Sequence, residues 1–338
     1  MEARRRPARA AACALVLLCL ALLVPAGAGA AIKLRPVTGK ITTKVGIADQ
    51  KAWVFDDERL ADAGFGYARR SVAWDALRHR AQRAQLDDWV RGALVIGADP
   101  LITLARADRS TGRRYKPPAP NEVLREFLRM RKRYPEVKTW SAWNEANMCG
   151  VGTCDKPELV ARYYNLMRRN CPGCKILAAD LLDQPNMVRW VRGFRRAARF
   201  EPKYWGLHDY VDANRFQTIR TASLLKAVRG EVWLTEIGGL VARRNRSRVK
   251  LRQGKAHAAR ATRFIFDRLA RLDRRVARIY IYHWRSTTRR DSWDSALVGA
   301  DDEPRPALAV VKRFLRPPMD SPMQPPVEPP VQPEYPIP

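Results

Sequence analysis

Two glutamates sit in settings that suit catalysis. Glu145 lies in Trp143-Asn144-Glu145-Ala146-Asn147 and Glu236 in Trp233-Leu234-Thr235-Glu236-Ile237-Gly238-Gly239, and each closes a short apolar run. A carboxylate in that position falls where a buried strand hands over to a loop. A pair of such carboxylates, brought together, is what cleavage of a glycosidic bond needs: one protonates the leaving oxygen, the other attacks the sugar or activates water.

Groups this far apart in sequence meet only if the fold carries both to one place. Strand-like and helix-like segments alternate through the central region, the pattern of a parallel sheet with crossover helices. The expected strands are residues 43–48, 67–73, 101–105, 138–143, 175–179, 204–208, 232–235 and 278–282. Helical periodicity is expected over 121–133, 157–169, 257–272 and 305–314. Asp155 and Pro157 before the second of these, and Asn170-Cys171-Pro172-Gly173 after it, supply start and stop signals. Eight alternations ending in a helix give an α/β chain with a (β/α)8 TIM barrel as a single domain, residues 31–316. Such a barrel gathers strand C-termini at one mouth, with Glu145 after the fourth strand and Glu236 ending the seventh.

The ends read differently. Arg4, Arg5, Arg6 and Arg9 precede an apolar stretch, Ala11 to Val24, and a small-residue zone, Ala26 to Ala30, so residues 1–30 are expected to be a signal peptide. An uncleaved anchor is the rival reading, although the run is short for a membrane span. Residues 317–338 hold ten of the 24 prolines, three acidic residues and no basic ones, the composition of a disordered tail, either plainly solvated or a spacer through a cell wall. The expected location is secreted, extracellular or in the cell wall. Four cysteines remain after the leader: Cys149, Cys154, Cys171 and Cys174. Export favours two disulfides, of which 149 with 154 and 171 with 174 are the simplest of three connectivities; a four-cysteine zinc site is the alternative.

The formal charge is +29; the leader carries +3 and the tail −3, so residues 31–316 keep the whole excess. Arginines are spread along nearly every helix-like segment with no basic cluster interleaved with aromatics, which argues against nucleic acid. The charge is either compositional or directed at an anionic wall polymer or acidic glycan.

The order of motifs resembles clan A of the glycoside hydrolases, closest in flavour to family 39 and related short bacterial barrels. In that clan the acid/base follows strand four behind an asparagine, here Asn144-Glu145, and the nucleophile ends strand seven, here Thr235-Glu236. The resemblance implies that Glu145 acts as acid and then base, that Glu236 forms a glycosyl-enzyme, and that configuration is retained. It implies substrate-binding or supporting roles for five further residues. Arg69 on strand two would keep Glu236 ionised, with neighbouring Arg70 facing the other way. Asn144 would bind the hydroxyl beside the scissile carbon. His208 and Tyr210 match a His-x-Tyr pattern, with Tyr210 on the nucleophile, and Trp284 would be a flat floor for the sugar ring. Ala146 stands where many clan members carry proline, which leaves the subfamily open.

Each residue has a blander reading. His208 reads equally as a structural histidine, while Trp74, Trp143 and Trp233 read as core. Trp293, Asp49 and Trp53 either line the cleft or cap loops. The implied function is a secreted, monomeric, retaining hydrolase of O-glycosidic bonds in an extracellular polysaccharide or glycoconjugate, anionic polymers among the candidates, with no metal or organic cofactor required and no stable membrane insertion after the leader is removed. The rival is a non-catalytic basic TIM-barrel protein that binds anionic cell-wall glycans.

Overall fold

The computed structural model describes residues 32–107, 115–244 and 249–316. The expected leader and tail lie outside them. Eight parallel strands form the barrel: β1 (Lys44–Ala48), β2 (Tyr67–Ala73), β3 (Asp99–Ala105), β4 (Thr139–Ser141), β5 (Lys175–Leu177, resuming as Asp180–Leu182), β6 (Tyr204–His208), β7 (Glu231–Ile237) and β8 (Val276–Tyr282). Each pairs with its sequence neighbours, and β1 pairs with β8. The ring closes through the split fifth strand. Its first half pairs with β4 and its second with β6, while Ala178 N donates to Tyr204 O and Asp180 N to Trp143 O (both 2.9 Å). The expected alternation is therefore the observed one, and two of the eight expected strands, 67–73 and 204–208, match to the residue.

The helices are α1 (Glu58–Ala63), α2 (Arg80–Val95), α3 (Pro120–Arg133), α4 (Pro157–Asn170), α5 (Met187–Ala197), α6 (Tyr210–Arg215), α7 (Ile219–Ala227), α8 (Lys255–Phe264) and α9 (Pro306–Leu315). α3 shows why they form where they do. Pro120 presets the first turn, Glu122 reaches back to accept from Ala119 N (2.8 Å), and Arg131, Lys132 and Arg133 close the last turn against the dipole. Val123, Phe127 and Met130 then face the sheet. The helix expected over 257–272 is instead α8 followed by a wider π-turn, Ile265–Leu269. Among the described residues no helix is long and apolar enough to cross a membrane.

Two apolar layers result. The larger lies between strands and helices and includes Trp89, Trp140, Trp143, Phe127 and Phe194. The smaller fills the barrel below its mouth with Leu101, Leu177, Trp233 and Tyr280. Arg278 is buried there over the faces of Tyr67 and Trp233, at 4.2 and 4.0 Å. Gly46 makes this plug possible, because a Cβ there would sit 2.8 Å from the Tyr280 ring. The tryptophans expected to be core are buried: Trp74, Trp143 and Trp233.

Candidate active site

Glu145 sits four residues beyond the end of β4, in a backbone pinned to the strands on either side. Asn144 N donates to Leu104 O of β3 (2.7 Å), and Ala146 N donates to Asp180 O of β5 (2.9 Å). Glu145 itself holds φ 49°, a left-handed conformation that a non-glycine residue adopts at a cost of about 1–3 kcal/mol. The flanking bonds hold it there. Below it, Asn147 is fully buried and bonds both Leu182 and Asn186, and Thr153 Oγ1 donates to Ala146 O (2.7 Å). A disulfide between Cys149 and Cys154 closes the same loop, and a second joins Cys171 to Cys174 after α4. These are the two local pairs expected of an exported chain, and they consume the four thiols that a zinc site would need.

Glu236 lies one residue inside the end of β7. Arg69 Nη1 donates to its Oε2 and Tyr210 OH to its Oε1, both at 3.1 Å. Arg69 has no exposed surface, and its remaining nitrogens reach Asp180 Oδ2 (2.6 and 3.1 Å) and Asn144 Oδ1 (2.7 Å). Arg70, its neighbour, points the other way and bonds Gln85 O, as strand alternation requires. Asp180 is the hub: Thr103 and Ser141 also donate to it. Burial alone would raise its pKa, but the Arg69 charge leads the effects that outweigh burial and hold it well below the usual carboxylate range. Gly206 makes room for it, since a Cβ at that position would collide with the Asp180 carboxylate.

His208, also fully buried, spans the two glutamates. Its Nδ1 lies 3.2 Å from Glu145 Oε1 and 3.8 Å from Glu236 Oε2. Burial disfavours charge on this ring, whereas the surrounding carboxylates of Glu236, Asp180 and Glu145 favour it and on balance raise its pKa to about 9. Arg69 Nη2, however, lies 3.0 Å from Nε2, and a guanidinium nitrogen can only donate. When the ring is neutral, that contact has Nε2 accepting and the proton on Nδ1. In either state Nδ1–H faces Glu145.

Both glutamates open into one cavity of about 490 Å³ at the barrel mouth, walled by Tyr210, Tyr282 and Trp293 among others. A second cavity of about 420 Å³ shares Glu236 and Tyr282 and continues on the β2–β3 side, so the cleft runs past the pair in both directions. Glu145, Glu236, Arg69, Asn144, His208 and Tyr210 are thus brought together. Trp284 is not. It lies two residues past the end of β8, fully buried, with Nε1 donating to Asp57 (2.8 Å), its backbone N donating to Asp49 (2.9 Å) and its ring edge-on to Phe65. The aromatic faces at the mouth belong to Tyr282, the last residue of β8, and Trp293. Asp49 is likewise buried, paired with Lys51.

Sequence reading missed Asp180, Tyr282 and Asp183. A signal for Asp180 was present: it interrupts the apolar run Ile176 to Leu182, where a carboxylate has to find partners.

No family model matches this chain, and no curated protein does. Solved structures do. Xylanase 10B of Thermotoga maritima is 14% identical with a TM-score of 0.57, over 81% of this chain and 95% of that one. An endo-1,4-beta-xylanase of Penicillium canescens is 11% identical with a TM-score of 0.58, over 80% and 93%. A family 39 glycoside hydrolase of Bacteroides cellulosilyticus is 14% identical with a TM-score of 0.53, over 80% and 63%. At such identities the likeness is one of fold: this chain is a TIM barrel whose structural neighbours are glycoside hydrolases.

Proposed function

We propose that this protein is a secreted, retaining glycoside hydrolase of clan A type, acting on the O-glycosidic bonds of an extracellular polysaccharide or glycoconjugate. The observation that carries the reading is the meeting of Glu145 and Glu236 in one cleft, with Arg69 and Tyr210 both bonded to Glu236. The two disulfides support an oxidising compartment.

In this mechanism Glu145 protonates the leaving oxygen while Glu236 attacks the anomeric carbon; the C–O bond breaks and a glycosyl ester forms on Glu236. Glu145, now ionised, takes a proton from water, which attacks the same carbon and frees Glu236. Arg69 and Tyr210 keep Glu236 aimed between turnovers, since both donate to its carboxylate oxygens. His208 Nδ1–H holds the Glu145 carboxyl against rotation. Asn144 stands ready for the hydroxyl beside the reacting carbon, and Tyr282 and Trp293 offer faces to the sugar rings. The two carboxylates supply acid, base and nucleophile, so the scheme needs no cofactor.

The net charge of +29 favours one second reading, a silent barrel that binds anionic wall glycans. A panel of neutral and uronate-containing polysaccharides, with Glu236→Gln as control, separates the two. Release of reducing ends by the wild type alone supports the hydrolase; binding that falls steeply with salt, without turnover on any polymer, supports the binder.

A further inference from the structure

Inside the barrel, the cations beside the glutamates face carboxylates. Arg69 faces Asp180 and Glu236, and His208 faces Glu145. The wall of the cleft nearest β6 and β7 is rich in arginine. Three arginines line it: Arg215 at the end of α6, Arg220 in the first turn of α7, and Arg243 on a two-residue ribbon (Ala242–Arg243) paired with Trp293–Asp294. Among the described residues neither Arg215 nor Arg220 forms an ion pair. Arg215 Nη2 donates only to a backbone carbonyl, that of Lys250 (3.2 Å). The Nε of Arg220 is buried with no hydrogen-bond partner. Arg243 lies over the Trp293 ring at 5.1 Å, which puts a guanidinium and an aromatic face side by side.

Besides the two glutamates, the acid on this wall is Asp183. Burial first, then the charge of nearby Asp212, pushes its pKa up against the pull of Arg220, and Val211 N donates to its Oδ2 (2.7 Å). A guanidinium offers donors and no acceptor. A ligand lying on three of them has to bring acceptors, and planar charged acceptors match the fork best.

We propose that this wall is a subsite for an acidic sugar, whose carboxylate or sulfate is held by Arg215, Arg220 and Arg243 while its ring lies against Trp293, beside the bond that Glu145 and Glu236 address. The placement beside the bond rests on the hydrolase reading; the binding of an acidic sugar does not.

Calorimetric titration of the Glu236→Gln protein tests it. The probes are oligosaccharides from uronate polymers and from sulfated polymers, each beside its carboxyl-reduced or desulfated counterpart of the same linkage. At about 0.15 M salt at least one acidic series is expected to bind about ten-fold or more tighter than its neutral counterpart, the scale of one charge-assisted bond. Arg220→Gln and Arg215→Gln, the latter exposed and safe for folding, are each expected to cut that ratio several-fold. Arg129→Gln with Arg133→Gln, on a separate basic hollow, should leave it unchanged. Which series binds distinguishes carboxylate from sulfate. Equal binding of charged and neutral members in every series, or a preference lost only with the remote pair, overturns the proposal. Wild-type hydrolysis of neutral polymers without such a preference would sink this inference and leave the hydrolase reading standing; a preference without turnover on any polymer would do the reverse.

Discussion

His208 Nδ1 lies 3.2 Å from Glu145 Oε1 and 3.8 Å from Glu236 Oε2, so one imidazole nitrogen bridges the two carboxylates. Those two oxygens are therefore no further apart than the sum of the distances, about 7 Å, whereas inverting enzymes spread their carboxyls to about 6.5–9.5 Å and retaining ones hold them at about 5–5.5 Å. The bound admits the spacing of a retaining pair. Product configuration, followed by proton NMR in the first minutes of hydrolysis, is expected to match that of the substrate; the opposite anomer as first product would reject a glycosyl-enzyme on Glu236.

Tyr210 donates to Glu236 at 3.1 Å, and Tyr210→Phe removes that one bond while keeping the ring that packs edge-on against Trp293. A hydrogen bond to a charged group contributes about 1.5–3 kcal/mol, which predicts a fall in kcat of about 10- to 100-fold with little change in melting temperature. An unchanged kcat would show that Tyr210 only fills space.

Arg69 and Asp180 form a buried ion pair at 2.6 Å with neither side chain exposed. Arg69→Met leaves Asp180 charged without its partner and is expected to cost about 3–5 kcal/mol in denaturant unfolding. Adding Asp180→Asn removes the orphaned charge and should recover part of the loss. Costs that simply add would mean the two residues are not coupled.

These groups mark where the sequence was legible. Glu145, Glu236 and Tyr210 sit at or near strand ends, and within β2 period-2 alternation lets only one of Arg69 and Arg70 point inward. Asp180 was hidden because the fifth strand is interrupted at Ala178 and Ala179, and an apolar run that seems finished there resumes with the hub residue. Trp284 was misplaced for a related reason: an aromatic near the end of β8 is expected at the mouth, but the residue that ends the strand is Tyr282. The three cleft arginines belong to α6, α7 and a ribbon between β7 and α8. Nothing in their local pattern separates them from arginines on solvated helix faces; only the packing of these elements around one mouth does.

His283 is nearly fully buried, and neither ring nitrogen has a hydrogen-bond partner. Burial disfavours its charged form and pushes its pKa down to about 4, below the unfolded value of about 6.5. The folded state therefore holds its proton less tightly than the unfolded one. Stability from this group is full above about pH 6.5 and is lost as pH falls toward 4, amounting to about 3 kcal/mol. The difference in unfolding free energy between wild type and His283→Asn is expected to shift by that amount across the window. A difference that stays flat from pH 7 to 4 would show that His283 does not titrate there.

The central claim, that Glu145 and Glu236 together cleave a glycosidic bond, is tested most directly by turnover of Glu236→Gln on a polysaccharide that the wild type cuts. Loss of the nucleophile is expected to lower kcat by about three orders of magnitude or more, with the melting temperature close to wild type. Wild-type turnover by the folded Glu236→Gln protein would contradict the account.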